Sequence, residues 1–297
     1  MTDSGQLFEG FGQRRIPTSG AEINVRVGGS GPPLLLLHGF PQTHAMWHQI
    51  APALAATHTV VVPDLRGYGD SSTPPGGDDH AGYSFRAMAA DQVEVMRTLG
   101  HQRFAVVGHD RGARVTHRMA LDHPEAVERL AMLDIVPTRH VYGHTDKRLA
   151  TVYYHWFFLI QPDELPERLI GNDPIYYLHS ALGSFGSGLD SYAPAALAEY
   201  ERCFADPQTR HAMCEDYRAA ATVDLEHDKA DTGRRVQQPT LVLWGAKGAV
   251  GALYEPLTVW RDYATNVRGH SIDAGHFLVE QQPDEVLTEI RAFLTET

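Results

Sequence analysis

The run from Phe104 to Leu121, FAVVGHDRGARVTHRMAL, constrains this chain more tightly than any other stretch. Residues 104–107 form a short apolar run without alternation, Gly108 breaks it, and good helix formers follow. That order predicts a strand turning sharply into a helix. The turn, Gly108-His109-Asp110-Arg111-Gly112, has the small-x-nucleophile-x-small pattern that presents a reactive side chain at a strained apex, here Asp110. Glycines are needed on either side because the returning helix passes too close for a Cβ. An Asp at this place could instead simply cap the helix. The surrounding chain favours the nucleophile.

In chain order, the first residues are polar and glycine-rich and are expected to drape over the surface. Residues 23–27 read as a strand, and the leucine run of 33–37 as a parallel strand buried on both faces, ending in His38-Gly39-Phe40-Pro41. A further strand at 59–62 leads into Asp64-Leu65-Arg66-Gly67-Tyr68-Gly69-Asp70-Ser71. Residues 83–99 have helical periodicity, and 127–135 read as a strand beyond the elbow helix. From Thr138 to Arg234 no buried strand run appears and aromatics crowd in, among them Tyr142, Tyr153, Tyr154, Trp156, Phe157, Phe158, Tyr176, Tyr177 and Phe185. Strands resume at 240–244 and 267–272, and a helix at 283–294 closes the chain. Strands alternating with helices imply a mostly parallel, doubly wound α/β sheet. The expected organisation is a core of residues 1–137 and 235–297 with a helical cap subdomain, 138–234, inserted between. A nucleophile after one strand, a cap, then a late histidine in Asp273-Ala274-Gly275-His276-Phe277 is the layout of an α/β-hydrolase.

Charge and cysteines narrow the partners. A net charge of -12 argues against nucleic acid and against binding an anionic membrane by charge. Cys203 and Cys214 lack C-x-x-C spacing and suit a reducing compartment, and no export signal or membrane-spanning apolar run is visible. The expected location is the cytoplasm.

A carboxylate nucleophile suits displacement at saturated carbon, because it attacks already charged and yields an alkyl ester. Water must then hydrolyse that ester, which needs a base. His276, just beyond a strand end, is the candidate among 17 histidines, and His270 is the weaker choice. The base needs an acid to orient it. After the strand at 240–244 no carboxylate occurs before Glu255, whereas Asp134 follows the strand beyond the elbow helix. Asp134 is therefore the expected acid. Backbone N–H groups of Phe40 and Arg111 are the expected oxyanion donors. Arg111 and Arg114 lie three apart at the start of the elbow helix and share a face. Two guanidinium groups beside a cleft fit a substrate carboxylate, unless cap acids such as Asp163 or Glu164 pair with them. His140 and His144 have i, i+4 spacing but no third ligand, so no metal site is read there.

HGFPQT at 38–43, GHDRGAR at 108–114, LDI at 133–135, YHW at 154–156, CEDYRA at 214–219 and GHF at 275–277 together resemble the fluoroacetate (haloacetate) dehalogenases along essentially the whole chain. The resemblance implies displacement of halide by Asp110, with ester hydrolysis by water activated through His276 and Asp134. It further implies substrate carboxylate binding by Arg111 and Arg114, and a halide pocket of His155, Trp156 and Tyr217. It implies no cofactor, a small anionic substrate and a homodimer. Two positions depart from it: Phe185 stands near the family's pocket tryptophan, and Arg66 replaces a commoner small residue or proline. Loss of an indole there widens the pocket toward chloroacetate or larger haloacids. An epoxide hydrolase using Tyr153, Tyr154 or Tyr217 as acids is the nearest alternative, and a non-catalytic anion-binding protein a more distant one.

Overall fold

The computed structural model describes residues 7–296. Eight strands form one sheet: β1 (Gly12–Pro17), β2 (Glu22–Gly28), β3 (Pro33–Leu37), β4 (Thr59–Pro63), β5 (Phe104–His109), β6 (Val127–Leu133), β7 (Thr240–Gly245) and β8 (Val267–Ile272). Their spatial order is β1-β2-β4-β3-β5-β6-β7-β8. The β1–β2 and β2–β4 pairs are antiparallel and every other pair is parallel.

The apolar runs end up where their composition requires. All four leucines of β3 are fully buried, and all six residues of β5 are buried. Burying each such aliphatic side chain contributes roughly 1.5–3 kcal/mol, so the centre of the sheet is where the chain has most to lose by misregister. Helices α1 (Ala51–Ala55), α2 (Phe85–Thr98) and α3 (Arg111–Asp122) belong to the first part of the chain. Helix α2 begins after Ser84, whose hydroxyl accepts the Ala87 N–H at 3.2 Å, two residues later than periodicity alone suggested.

Between β6 and β7 the chain leaves the sheet for eight helices: α4 (Thr138–Gly143), α5 (Lys147–Val152), α6 (Tyr154–Phe158), α7 (Leu165–Ile170), α8 (Pro174–Leu182), α9 (Pro194–Phe204), α10 (Pro207–Ala221) and α11 (Val223–Ala230). It then returns to pair β7 directly beside β6. Helices α12 (Ala249–Leu253), α13 (Pro256–Trp260), α14 (Leu278–Gln281) and α15 (Pro283–Leu294) complete it.

One expectation is corrected. Of the N-terminal segment expected to drape over the surface, residues 12–17 are strand β1, paired with β2 along its whole length. Only Ile16 of that strand is buried, so no apolar pattern announced it. Residues 1–6, part of the same expectation, lie outside the described residues. No helix among the described residues is long and apolar enough to cross a membrane.

Candidate active site

β5 runs into α3 through Asp110, which has φ 48° and ψ -115°. A non-glycine residue in that region is strained and persists only where its surroundings hold it. The flanking glycines explain how. A Cβ on Gly108 would come within 2.4 Å of the Gly112 carbonyl oxygen, and one on Gly112 within 2.4 Å of the His38 carbonyl oxygen. The elbow thus closes against the end of β3, whose following turn brings Phe40 over Asp110. The Phe40 N–H donates to Oδ1 of Asp110 at 2.9 Å. Burial disfavours charge on Asp110, but His276, then His109, Arg114 and Arg111, outweigh it and bring its pKa down from 3.8 to about 2. The group is an anion at any physiological pH.

Asp134 follows β6 and also has positive φ, 52°. Its Oδ1 accepts the Gly245 N–H at the end of β7 at 2.8 Å, which leaves Oδ2 aimed at the histidine loop. The His276 Nδ1–H donates to that Oδ2 at 2.5 Å, so the other ring nitrogen faces Asp110, with Nε2 3.8 Å from Oδ2 of Asp110. Burial works against protonation of His276. The hydrogen bond and charge of Asp134, followed by the charge of Asp110, overcome it and raise the pKa above 6.5. Behind this pair, burial lowers the pKa of His109 to about 3, so its ring is neutral. Its Nε2–H donates to the His276 carbonyl at 2.8 Å. His109, inside the GHDRG motif, is a supporting residue the sequence reading passed over, although its place beside the apex was a signal.

A cavity of about 450 Å³ opens above Asp110 and His276. Phe40, Tyr153, His155, Phe185 and Tyr217 line it with these two, and Lys247 stands in the wall after β7. Burial lowers the pKa of His155 to about 3 and leaves it a neutral N–H donor. Burial and the Asp110 charge push the Tyr217 phenol well above its usual 10, so it keeps its proton. Phe185 has φ 57° and its ring lies 5.8 Å from that of His276, centroid to centroid.

Arg111, Arg114 and Trp156 are not among the lining side chains but stand behind them. Arg111 is fully buried, with its guanidinium carbon 4.3 Å over the Tyr217 ring. Arg114 lies 4.5 Å over Trp156. For Arg111 the second possibility, pairing with an acid of the inserted helices, is the one present. Its Nε donates to Oδ2 of Asp216 at 2.8 Å, and Nη2 donates to Oδ1 and to the backbone carbonyl of the same residue. The acid is Asp216 of α10, neither Asp163 nor Glu164, because α10 is the inserted helix whose side chains reach the start of α3. Asp216 also accepts the Tyr68 hydroxyl at 2.7 Å. Arg114 donates through Nη1 to the Val136 carbonyl and to Thr138, each at 2.9 Å. Nη1 of Arg111 and Nε of Arg114 are buried donors without a partner among the described residues. CEDYRA contained Asp216, but nothing local linked it to an arginine a hundred positions earlier.

Other singled-out residues fall elsewhere. Arg66 is buried and structural: Nε donates to Asp91 and Nη1 to the Gly82 carbonyl, both at 2.6 Å. His270 lies on β8 beside Glu289, remote from the elbow. His140 and His144 stack at 4.1 Å, and among the described residues no group of three or more His, Cys, Asp or Glu could hold a metal ion.

Residues 32–283 match the family model of the alpha/beta hydrolase fold. The chain is 50% identical over 291 residues to the fluoroacetate dehalogenase of Burkholderia sp., covering 98% of this chain and 96% of that protein. It is 32% identical over 275 residues to the soluble epoxide hydrolase of Corynebacterium sp. (strain C12), covering 91% and 92%. Among solved structures, ALR0039 of Nostoc sp. PCC 7120, assigned to the alpha/beta hydrolases, is 55% identical with a TM-score of 0.96 over 100% of both chains. With an Asp at the elbow apex, a His–Asp pair beside it and these similarities along its length, the chain belongs to the α/β-hydrolase fold family and, within it, to the family of the fluoroacetate dehalogenases.

Proposed function

We propose that this protein hydrolyses small haloacetates, fluoroacetate to glycolate and halide among them, through an alkyl ester on Asp110. The observation that carries the reading is the placement of Asp110's two oxygens: Oδ1 accepts the Phe40 N–H, while Oδ2 lies 3.8 Å from Nε2 of His276. Oδ2 attacks the α-carbon; a C–O bond forms as the C–halogen bond breaks, and halide leaves with the bonding pair. Water then adds to the Asp110 carboxyl carbon while His276 Nε2 takes its proton. Phe40 N–H, with the backbone N–H of Arg111, stabilises the oxyanion. On collapse the imidazolium gives its proton to the departing glycolate oxygen, and the regenerated Asp110 carboxyl releases the second water proton to solvent to return as carboxylate. Side chains and water handle every proton in this cycle, so the reading calls for no cofactor and no metal.

Asp134 orients His276 and stabilises its imidazolium. Arg111 and Arg114 bind the substrate carboxylate, a role supported by their two buried, unpartnered N–H groups. His155, Trp156 and Tyr217 receive the halide, and the neutral imidazole and the protonated phenol suit that task. Fluoride is strongly hydrated and needs several converging donors as its charge develops. Phe185 in the cavity wall leaves space for larger halogens. Residues 138–234 act as a cap subdomain on the core formed by 1–137 and 235–297. Cytoplasmic location fits two free, buried cysteines. A homodimer fits the exposed cap residues Leu165, Leu169, Tyr154 and Tyr176; sedimentation at twice the monomer mass is the expected result, and a monomer at all concentrations ends that part of the reading.

Epoxide hydrolysis is the second reading, favoured by Tyr153, Tyr154 and Tyr217 in the cavity wall. Fluoride and chloride release from fluoroacetate and chloroacetate tests the first reading. Release by the wild type and none by Asp110→Asn is expected. Diol formation from epoxides without halide release from either acid would favour the second.

A further inference from the structure

The cap touches the catalytic histidine's own backbone. Between α8 and α9 the chain passes through Phe185 and Gly186, with φ 57° and 83°, and this bent strap lies directly on the His276 loop. The His276 N–H donates to the Phe185 carbonyl at 3.0 Å. A Cβ on Gly275 would meet that same oxygen at 2.4 Å, so Gly275 is what lets strap and loop approach so closely.

The preceding peptide is joined to the strap through a side chain. Oε1 of Gln281 accepts the Gly275 N–H at 2.8 Å, and its Nε2 donates to the Gly186 carbonyl at 3.0 Å. The Gln281 amide therefore stands between the two backbones as an extra peptide group would, continuing the ladder that His276 and Phe185 begin. Gln281 ends α14, whose other anchor is its neighbour. Oε1 of Glu280 accepts the Tyr200 hydroxyl of α9 at 2.6 Å and the Gln42 amide at 3.2 Å. One short helix thus bonds the cap at two places and the loops of Phe40 and His276 at one each.

We propose that Gln281 is a positioning residue for His276, and that through it the docked cap strap Phe185–Gly186 fixes the imidazole for the ester-hydrolysis step. The inference rests on the reading of His276 as the base. Asp134 sets the ring's tautomer, but the backbone that carries the ring is held by the cap. Attack by Asp110 does not use His276, so loss of Gln281 slows the second step selectively.

The test compares the wild type with Gln281→Met, which keeps the length and loses both hydrogen bonds, and Gln281→Glu, which keeps the acceptor and loses the donor to Gly186. Gln281 is only partly buried, which favours folding of both variants. The first readout needs no substrate: the low-field NMR resonance of the proton between His276 and Asp134. It is expected to broaden in Gln281→Met and to change less in Gln281→Glu. The second readout is turnover of chloroacetate: kcat is expected to fall by about 10- to 100-fold in Gln281→Met, with KM falling alongside it, kcat/KM little changed and the Asp110 ester accumulating. A sharp wild-type resonance in Gln281→Met overturns the proposal, whatever happens to stability or turnover. If the wild type releases no halide while the resonance still broadens in Gln281→Met, the dehalogenase reading fails and the positioning role stands.

Discussion

In the proposed mechanism, forming the Asp110 ester changes the charge that His276 sees. In the free enzyme the Asp110 carboxylate is one of the groups raising the imidazole pKa above 6.5, after the hydrogen bond and charge of Asp134. Once Asp110 is esterified that negative charge is gone, so the imidazole gives up a proton more readily just when a base is required. The acid limb is accordingly expected in kcat, where ester hydrolysis is read, and below the pKa of the free enzyme's imidazole. Asp134→Asn removes the largest favourable influences on the imidazolium. It should shift the limb to lower pH and slow ester hydrolysis on the order of 10²–10⁴-fold; an unmoved limb in a pH–rate profile counts against the pairing. The same shift has a stability consequence. Because the folded pKa lies above the unfolded 6.5, His276 contributes stability that is fully present below 6.5 and is lost as pH rises through the folded value.

Helix α14 joins the inserted helices to the sheet's loops through the Glu280 carboxylate, which has no cation partner among the described residues. Burial pushes the Glu280 pKa up from 4.5 to about 7, against hydrogen bonds from Tyr200 and Gln49 that lower it. The unfolded chain releases this proton near 4.5, so between 4.5 and 7 the folded state binds more protons and stability falls as pH rises. Glu280→Gln should flatten that slope in urea unfolding followed across this window, and an unchanged slope shows that the carboxyl does not titrate there. Such junctions were not legible in the sequence. Asp110 and the α/β order could be read because an unbroken apolar run and a glycine-flanked apex are local signals. Asp134 was legible because a carboxylate is missing after β7 and present after β6. The Arg111–Asp216 pair, the Gln281 bridge and the Tyr200–Glu280 bond all form only when the inserted helices dock on the sheet. Strand β1 escaped notice because five of its six residues are exposed. For Arg111 the sequence left pairing with an acid such as Asp163 or Glu164 open, and only the docked helices single out Asp216.

The molecule as a whole carries a net charge of -12, and an anionic substrate must enter against that field. Arg111 and Arg114 reverse it locally, and their effect already appears in the depressed pKa of Asp110. They stand behind the aromatic wall of the cavity, where low polarity strengthens their pull. Sheet, elbow and inserted helices together therefore put the Asp110 carboxylate, the His276–Asp134 pair and two guanidinium groups around one cavity. On the proposed mechanism this arrangement works through a covalent ester on Asp110. His276→Asn incubated with chloroacetate, digested and read by mass spectrometry, addresses it most directly. A single carboxymethyl group on the peptide containing Asp110, formed with one equivalent of chloride and persisting, is the predicted result. Chloride released in step with glycolate and no adduct on Asp110 would contradict it.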